Sequence, residues 1–299
     1  MTRLEISAAP PLATVQDEGR FGKLAYGISA SGPLDRYGFA KAGEILDGKA
    51  GAALELAGGR FSARVLGGTI RAAGSGGTFA ISVNGKARGW NSRIVVKDGD
   101  EIEITPGKSG NFAYLRFDHE LDVPMVMGSR STNLIAALGG LDDRNLRAGD
   151  QIELTEITAP SHTLPLTPEP EGPIRFIWGI HTDFLPNELL NAFCESPFSV
   201  SHQIDRMGLR LNDEAGIFRN LEALHLVSDA VVPGDVQILG DGTPVVLMRD
   251  HQPTGGYPRI ATIVPDDLSR LAQMRPGTEL SFEPISLDRW ERERRRVAR

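Results

Sequence analysis

The sequence predicts a mostly β protein with a few short helices, and three observations carry that prediction. Apolar runs are short and bounded by turn residues, in a chain of 299 residues with 34 glycines and 19 prolines. Windows with helical periodicity are few. A turn-and-strand pattern recurs three times, in VKDGDEIEI (Val96–Ile104), LRAGDQIEL (Leu146–Leu154) and MRPGTELSF (Met274–Phe282). In each, glycine supplies the positive φ of a tight turn, a polar residue follows, and an alternating strand begins. The copies are irregularly spaced, which excludes a short-period solenoid and points to strands closing small sheets or barrels.

The elements follow in order. RIVVKDGDEIEIT (93–105), RFIWGI (175–180), ALHLVSDAVV (223–232) and TPVVLMR (243–249) read as strands between turn residues. LDRYGFAKAGEILDG reads as a helix with Asp35 as N-cap, an apolar face through Phe39, Ile45 and Leu46, and Gly48 past its end. STNLIAALGG reads as a helix from a Ser131 cap to a stop at Gly139, and PDDLSRLAQMRPG as one from Asp266 to near Pro276. The composition shifts at TEITAPSHTLPLTPEPEGP, residues 155–173, which holds five prolines and little to bury. This is the candidate linker, and it divides the chain into residues 1–160 and 161–299, sizes expected for two domains.

Hydrophobic residues make up 40% of the chain, enough for a full core, and a net charge of −7 argues against a broad nucleic-acid grip. The basic ending DRWERERRRVAR reads as a solvated helical turn or tail. Cys194 is the one cysteine, so no internal disulfide forms, which fits a cytoplasmic protein. No apolar run approaches the roughly 18 residues of a membrane span, and the N-terminus lacks a secretory core. There is no G-x-x-x-x-G-K-[ST] loop and no G-x-S-x-G elbow, and the six histidines form no close pair, so no metal site is expected.

What remains is a set of segments where polar residues and glycines crowd between apolar flanks. LMRDHQPTGGYPRIATIV (247–264) places Arg249, Asp250, His251, Gln252 and Thr254, then Gly255 and Gly256, between two strands. TVQDEGRFG, ISASGPLDR, MGSRSTNL and SHQIDRMGLRL have the same character. Each also has a purely structural reading. Asp17 and Arg20 can form a turn ion pair, Asp35 and Ser131 can be helix caps, and Arg206 can pair with Asp205 or a distant carboxylate.

Together, TVQDEGR, SGPLDR, GSRSTNL, DRMGLRL, VVPGDVQ and TGGYPRIATI, in this order and at these separations, resemble the biotin-dependent carboxyltransferase A/B subdomain family. That family is also called allophanate hydrolase subunit 2. It includes the C subunit of 5-oxoprolinase and an antagonist of a sporulation-kinase inhibitor. The resemblance runs from about Leu4 to Phe282. It implies two β-rich subdomains, an A-like one over 1–160 and a cyclophilin-like β-barrel over 161–299. It implies a C/D-type carboxyltransferase partner, similar to the B subunit of 5-oxoprolinase, and for the lactam reaction a LamB/YcsF-type partner, similar to its A subunit. The implied activity is amide processing: ATP-dependent opening of 5-oxoproline to glutamate, or carboxyl transfer to urea from carboxybiotin on a separate carrier. A non-catalytic regulatory binder is the third reading.

On this resemblance, the loop after VVLM faces substrate. Gly255 and Gly256 let the backbone approach a ligand closely. Gln252, Thr254 and Tyr257 can hydrogen-bond a planar amide, and Arg206 and Arg130 can hold a carboxylate or stabilise an oxyanion. Arg206, Gln252, Tyr257 and Arg130 are therefore the expected catalytic groups. Asp35, Ser129, Ser131, Thr254, Gly255 and Gly256 are the expected substrate-binding ones. The segments from both halves are expected to meet in one cleft.

Overall fold

The turn-and-strand pattern is one structural device used repeatedly. In the computed structural model, which describes residues 1–157, 171–219, 221 and 226–297, Gly99, Gly149 and Gly277 have φ of 82°, 92° and 82°. Each glycine N–H donates to a carbonyl on a neighbouring segment, of Val65, Ile6 and Val200 in turn, at 2.8 Å. The N–H of that same residue donates back to the residue after the glycine, to Asp100, Asp150 and Thr278 at 2.9, 2.9 and 3.0 Å. Val65, Ile6 and Val200 are buried, so each turn is clamped to the core where its strand begins. The Asp100 and Asp150 carboxylates also accept the N–H of Lys97 and Arg147, closing those turns from within. A fourth copy is VPGDVQI, where Gly234 has φ of 97° and donates to Leu247 O.

The residues divide into two units, Met1–Gly22 with Ala30–Leu166, and Lys23–Ser29 with Thr167–Arg299. The expected boundary at 160/161 lies outside the described residues, as does most of the proline-rich stretch. The N-terminal unit has a seven-stranded sheet, ordered Glu120–Leu121, Gln151–Thr155, Thr2–Ala8, Phe61–Leu66, Glu101–Pro106, Phe79–Val83, Lys86–Arg88. A five-stranded sheet is ordered Leu12–Gln16, Ala53–Ala57, Phe112–Phe117, Ile70–Gly76, Arg93–Val96. One apolar core joins them, with Leu4, Ile6, Phe61 and Ile102 from the first and Leu54, Leu56, Ala113 and Leu115 from the second. The helix Arg36–Ile45 forms as expected: Asp35 Oδ1 accepts the Gly38 N–H at 2.9 Å.

The C-terminal unit is built on an eight-stranded sheet, ordered Glu279–Leu280, Phe198–Ile204, Gly208–Asn212, Pro244–Leu247, Asp235–Ile238, Arg259–Ile263, Ile174–Trp178, Phe282–Pro284. Aromatics are few in the chain, yet Phe176, Phe193, Phe198, Phe218 and Phe282 cluster in this core, with Phe193 stacked on Phe282 at 4.5 Å. Phe193 comes from a helix the sequence did not suggest, Asn187–Glu195, which follows Pro186. The helix Pro265–Gln273 starts one residue before the expected Asp266. The basic ending is the three-turn helix Leu287–Val297, docked by Trp290 Nε1 on Asp266.

Two expected elements differ. STNLIAALGG is not a helix: Asn133 and Leu138 exchange backbone hydrogen bonds across a tight loop. Asn133 Oδ1 accepts the N–H groups of Ile135 and Ala136, and Ala137, Gly139 and Gly140 all have positive φ. The asparagine offers the backbone a turn in place of a helix. ALHLVSDAVV contributes only the two-residue strand Asp229–Ala230 among the described residues, and Ala223–His225 lie outside them.

Candidate functional site

In the N-terminal unit, the polar segments tie to one another. Asp17 Oδ1 accepts the hydroxyls of Ser129 and Ser131 at 2.5 and 2.7 Å and the Gly19 N–H at 2.9 Å, while Oδ2 accepts the Arg130 N–H at 2.6 Å. Gln16 bonds Thr132 O through Nε2 and the Gly32 N–H through Oε1. The buried Arg20 guanidinium donates to Ser131 O. Gly19 is required because a Cβ there would meet Ala30 O at 2.7 Å. Three of the segments that resemble the family are thus one knot. Ser129 and Ser131, with no exposed surface, use their hydroxyls on Asp17 instead of presenting them to a ligand. Asp35 is likewise fully engaged, as the helix cap and, through its N–H, as donor to Tyr114 Oη at 2.7 Å. Arg130 keeps a partly accessible side chain, 3.8 Å from Glu120. Asp17→Ala strands several donors at once and is expected to lower unfolding free energy by about 2–4 kcal/mol, read by chemical denaturation.

In the C-terminal unit, Arg206 is a brace. Its Nε and Nη2 donate to Asp250 at 2.8 and 3.2 Å, both side chains are buried, and the Asp250 N–H donates to Arg206 O. The pair fixes the start of the loop 250–257. Beyond it, Thr254–Gly255 pairs with Asp229–Ala230, and Tyr257 stands 46% exposed.

The loop covers a polar group on the sheet. Register shifts where Asp235–Ile238 meets Arg259–Ile263, and this bulge places Gln237 opposite Arg259. Directly opposed residues have Cβ atoms about 5 Å apart on one face. Arg259 donates through Nη1 to Ala230 O and through Nη2 to Asp229, with Asp235 3.5 Å from Nη1. Gln237 Oε1 accepts Gln252 Nε2 at 3.2 Å. Two buried donors then have no acceptor among the described residues: Gln237 Nε2 and Arg259 Nε. Gly255 leaves room for this amide, since a Cβ there would stand 2.5 Å from Gln237 Nε2. Buried donors without acceptors are costly, and two of them on opposed residues of one strand pair suit an acceptor-rich ligand.

Two histidines flank the group. His251 is buried, and its Nδ1 lies 2.6 Å from Gln252 O. A carbonyl only accepts, so Nδ1 carries the proton and Nε2 is a free base. Burial pushes the His251 pKa below its usual 6.5. His181 Nδ1 accepts the Arg259 N–H at 3.0 Å, so its neutral form carries hydrogen on Nε2. Burial, then the Arg259 charge, lowers its pKa as well. Both groups take up protons more readily unfolded than folded. Stability is therefore fully present above about pH 6.5 and declines as pH falls from there towards the lower folded pKa values. His251→Gln is expected to flatten that decline in denaturation midpoints measured from pH 7.5 to 5.5.

Of the residues expected from the sequence, Gln252 and Gly255 lie against this group, Thr254 pairs beside it with Ala230, and Gly256 and Tyr257 follow in the same loop. Arg206 holds the start of the loop through Asp250. Arg130, Ser129, Ser131 and Asp35 belong to the other unit. Gln237, Arg259, His181 and Asp235 were not singled out, and His251 was noted only within the polar run of the loop, although Asp235-Val236-Gln237 carries a signal: two polar residues two apart share one strand face inside an apolar run. Among the described residues, no group of three or more histidine, cysteine or acidic side chains is placed to hold a metal. Burial raises the Cys194 pKa, which keeps the thiol protonated.

The chain belongs to the family of carboxyltransferase domains, subdomain A and B, whose model matches residues 26–284. It is 34% identical over 295 residues to the C subunit of 5-oxoprolinase from Escherichia coli K12, covering 95% of this chain and 92% of that one. It is 30% identical to the C subunit of 5-oxoprolinase from Haemophilus influenzae, with the same coverages. The crystal structure of Kluyveromyces lactis urea carboxylase superposes with a TM-score of 0.83 at 27% identity, over 95% of this chain and 27% of that one. No helix among the described residues is long and apolar enough to cross a membrane.

Proposed function

We propose that this chain is the C-type subunit of a cytoplasmic 5-oxoprolinase. It acts with a C/D-type partner in the B role and a LamB/YcsF-type partner in the A role in opening 5-oxoproline to glutamate, with ATP as the co-substrate of the complex. The observation that carries this reading is the pair of unmet donors, Gln237 Nε2 and Arg259 Nε, beneath the Gly255–Tyr257 rim. A lactam carbonyl oxygen accepts two such N–H groups. They polarise it and stabilise the negative charge that develops as the amide opens. His251 Nε2 supplies a neutral base within the same loop.

A second reading, carboxyl transfer from carboxybiotin on a separate carrier, is favoured by the match to urea carboxylase. The same donors would then hold urea. The test is to co-express the chain with its genomic neighbours and assay turnover. ATP-dependent glutamate release from 5-oxoproline is expected from the complex and none from this chain alone. Urea carboxylation with a biotinylated carrier and no lactam turnover would select the second reading. Turnover by the isolated chain would overturn the dependence on partners.

A further inference from the structure

Gln237 Nε2 and Arg259 Nε have essentially no accessible surface in this structure. A ligand reaches neither of them unless the covering chain moves. That covering is the loop after Gln252. A Cβ on Gly255 would stand 2.5 Å from Gln237 Nε2, so the Gly255 backbone sits directly on this donor. The Arg259 guanidinium is held by Asp229 and by Ala230 O, and Asp229–Ala230 is the strand that Thr254–Gly255 pairs with.

The loop is anchored at both ends and lightly held between them. At its start, Asp250 is tied to Arg206 by side chain and backbone, and His251 Nδ1 donates to Gln252 O at 2.6 Å. At its end, Pro258 is buried and its carbonyl accepts the Ile238 N–H at 3.0 Å. The contacts between these anchors are long or exposed. Gln252 Nε2 reaches Gln237 Oε1 at 3.2 Å, and the Val231 N–H reaches Pro253 O at 3.3 Å. Pro253 has no N–H to give. Thr254–Gly255 and Asp229–Ala230 form a sheet of their own, two residues to a strand, and Asp229, Ala230, Thr254 and Tyr257 are exposed. A short, exposed ladder of this kind opens at low free-energy cost. Gly255 and Gly256 supply the backbone freedom that the movement needs.

We propose that residues 253–257 are a lid, closed in this structure, that opens between Gln252 and Pro258 to admit the substrate. The lid rests on the reading that Gln237 and Arg259 meet the substrate carbonyl. Opening parts Thr254–Gly255 from Asp229–Ala230 and uncovers Gln237 Nε2, while Arg259 stays on Asp229. Ala230 and Thr254 are directly opposed, with Cα atoms about 4.5–5.5 Å apart in an antiparallel pair, a span that a disulfide bridges. The test is to oxidise an Ala230→Cys/Thr254→Cys chain in a Cys194→Ser background, assemble it with its genomic partners, and assay it before and after reduction. The cross-link is expected to lower kcat/KM roughly 100-fold, and reduction to restore it within the same protein. A second variant, Gln237→Cys with Cys194→Ser, reads the motion without activity. Its buried thiol should react with a thiol reagent through local opening, far faster than the chain unfolds. Equal activity of the oxidised and reduced forms while Gln237→Leu is inactive would overturn the lid alone. Labelling of the Gln237→Cys thiol only at the rate of global unfolding would do the same. Full activity of Gln237→Leu would overturn the reading of the donor pair, and the lid with it.

Discussion

Gln237→Leu is expected to lower the kcat/KM of the assembled enzyme roughly 100-fold and to leave the unfolding curve of this chain close to wild type. Leucine fills the buried strand position but removes the donor aimed at the carbonyl oxygen. Losing one preorganised donor raises the barrier by about 2.7 kcal/mol. Stability changes little because the variant also removes a buried amide whose Nε2 has no partner, and the half-buried Gln252 that loses Oε1 can turn to water. Gly255→Ala provides an independent approach. Its Cβ would press on Gln237 Nε2 at 2.5 Å and displace the amide without altering its chemistry. Tyr257→Phe, at the exposed rim, should cost about tenfold, the scale of one hydrogen bond. Assays of the complex, with denaturation of each variant in parallel, separate these effects. If Gln237→Leu retains activity within about threefold, the donor pair does not touch the reacting group.

The family was legible in the sequence because its characteristic segments fold into local knots. Asp17, Ser129 and Ser131 are far apart in sequence and fixed in composition, since one carboxylate must satisfy two hydroxyls and two backbone N–H groups. That same engagement is what a reading of single segments misjudges. A serine between glycine and arginine reads as a ligand contact until its acceptor is known. The repeated glycine turns were legible for a different reason. Positive φ and strand alternation are both local properties, and the long-range hydrogen bonds to Val65, Ile6 and Val200 merely complete them. The fourth copy escaped because Asp235–Ile238 is buried on both faces, which removes the alternation. The Gln237–Arg259 pairing was not legible at all. It depends on a bulge that shifts register by one residue, and register is set by the whole sheet. The helix read into STNLIAALGG failed where a side-chain acceptor, Asn133, outcompeted the helical backbone.

Arg206 shows how the distinction between brace and contact can be measured. Both it and Asp250 are buried and paired, so removing one partner leaves an uncompensated charge in the core. Arg206→Ala is expected to destabilise the chain by about 3–5 kcal/mol, which for many proteins is most of the folding free energy. Activity would then be lost whether Arg206 touches substrate or not, and the single variant decides nothing about mechanism. The double variant Arg206→Met with Asp250→Leu does decide. Replacing both charges with apolar groups of similar volume removes the desolvation cost together with the attraction, and stability is expected to return to within about 1–2 kcal/mol of wild type. The backbone bond from Asp250 N–H to Arg206 O survives the exchange and continues to hold the loop entrance. Activity of the complex should therefore recover to within about tenfold if Arg206 acts only through the position of the loop 250–257. A double variant that folds fully but remains as inactive as Arg206→Ala would show instead that the guanidinium itself meets the substrate. The role read from the sequence would then be the right one, despite the burial.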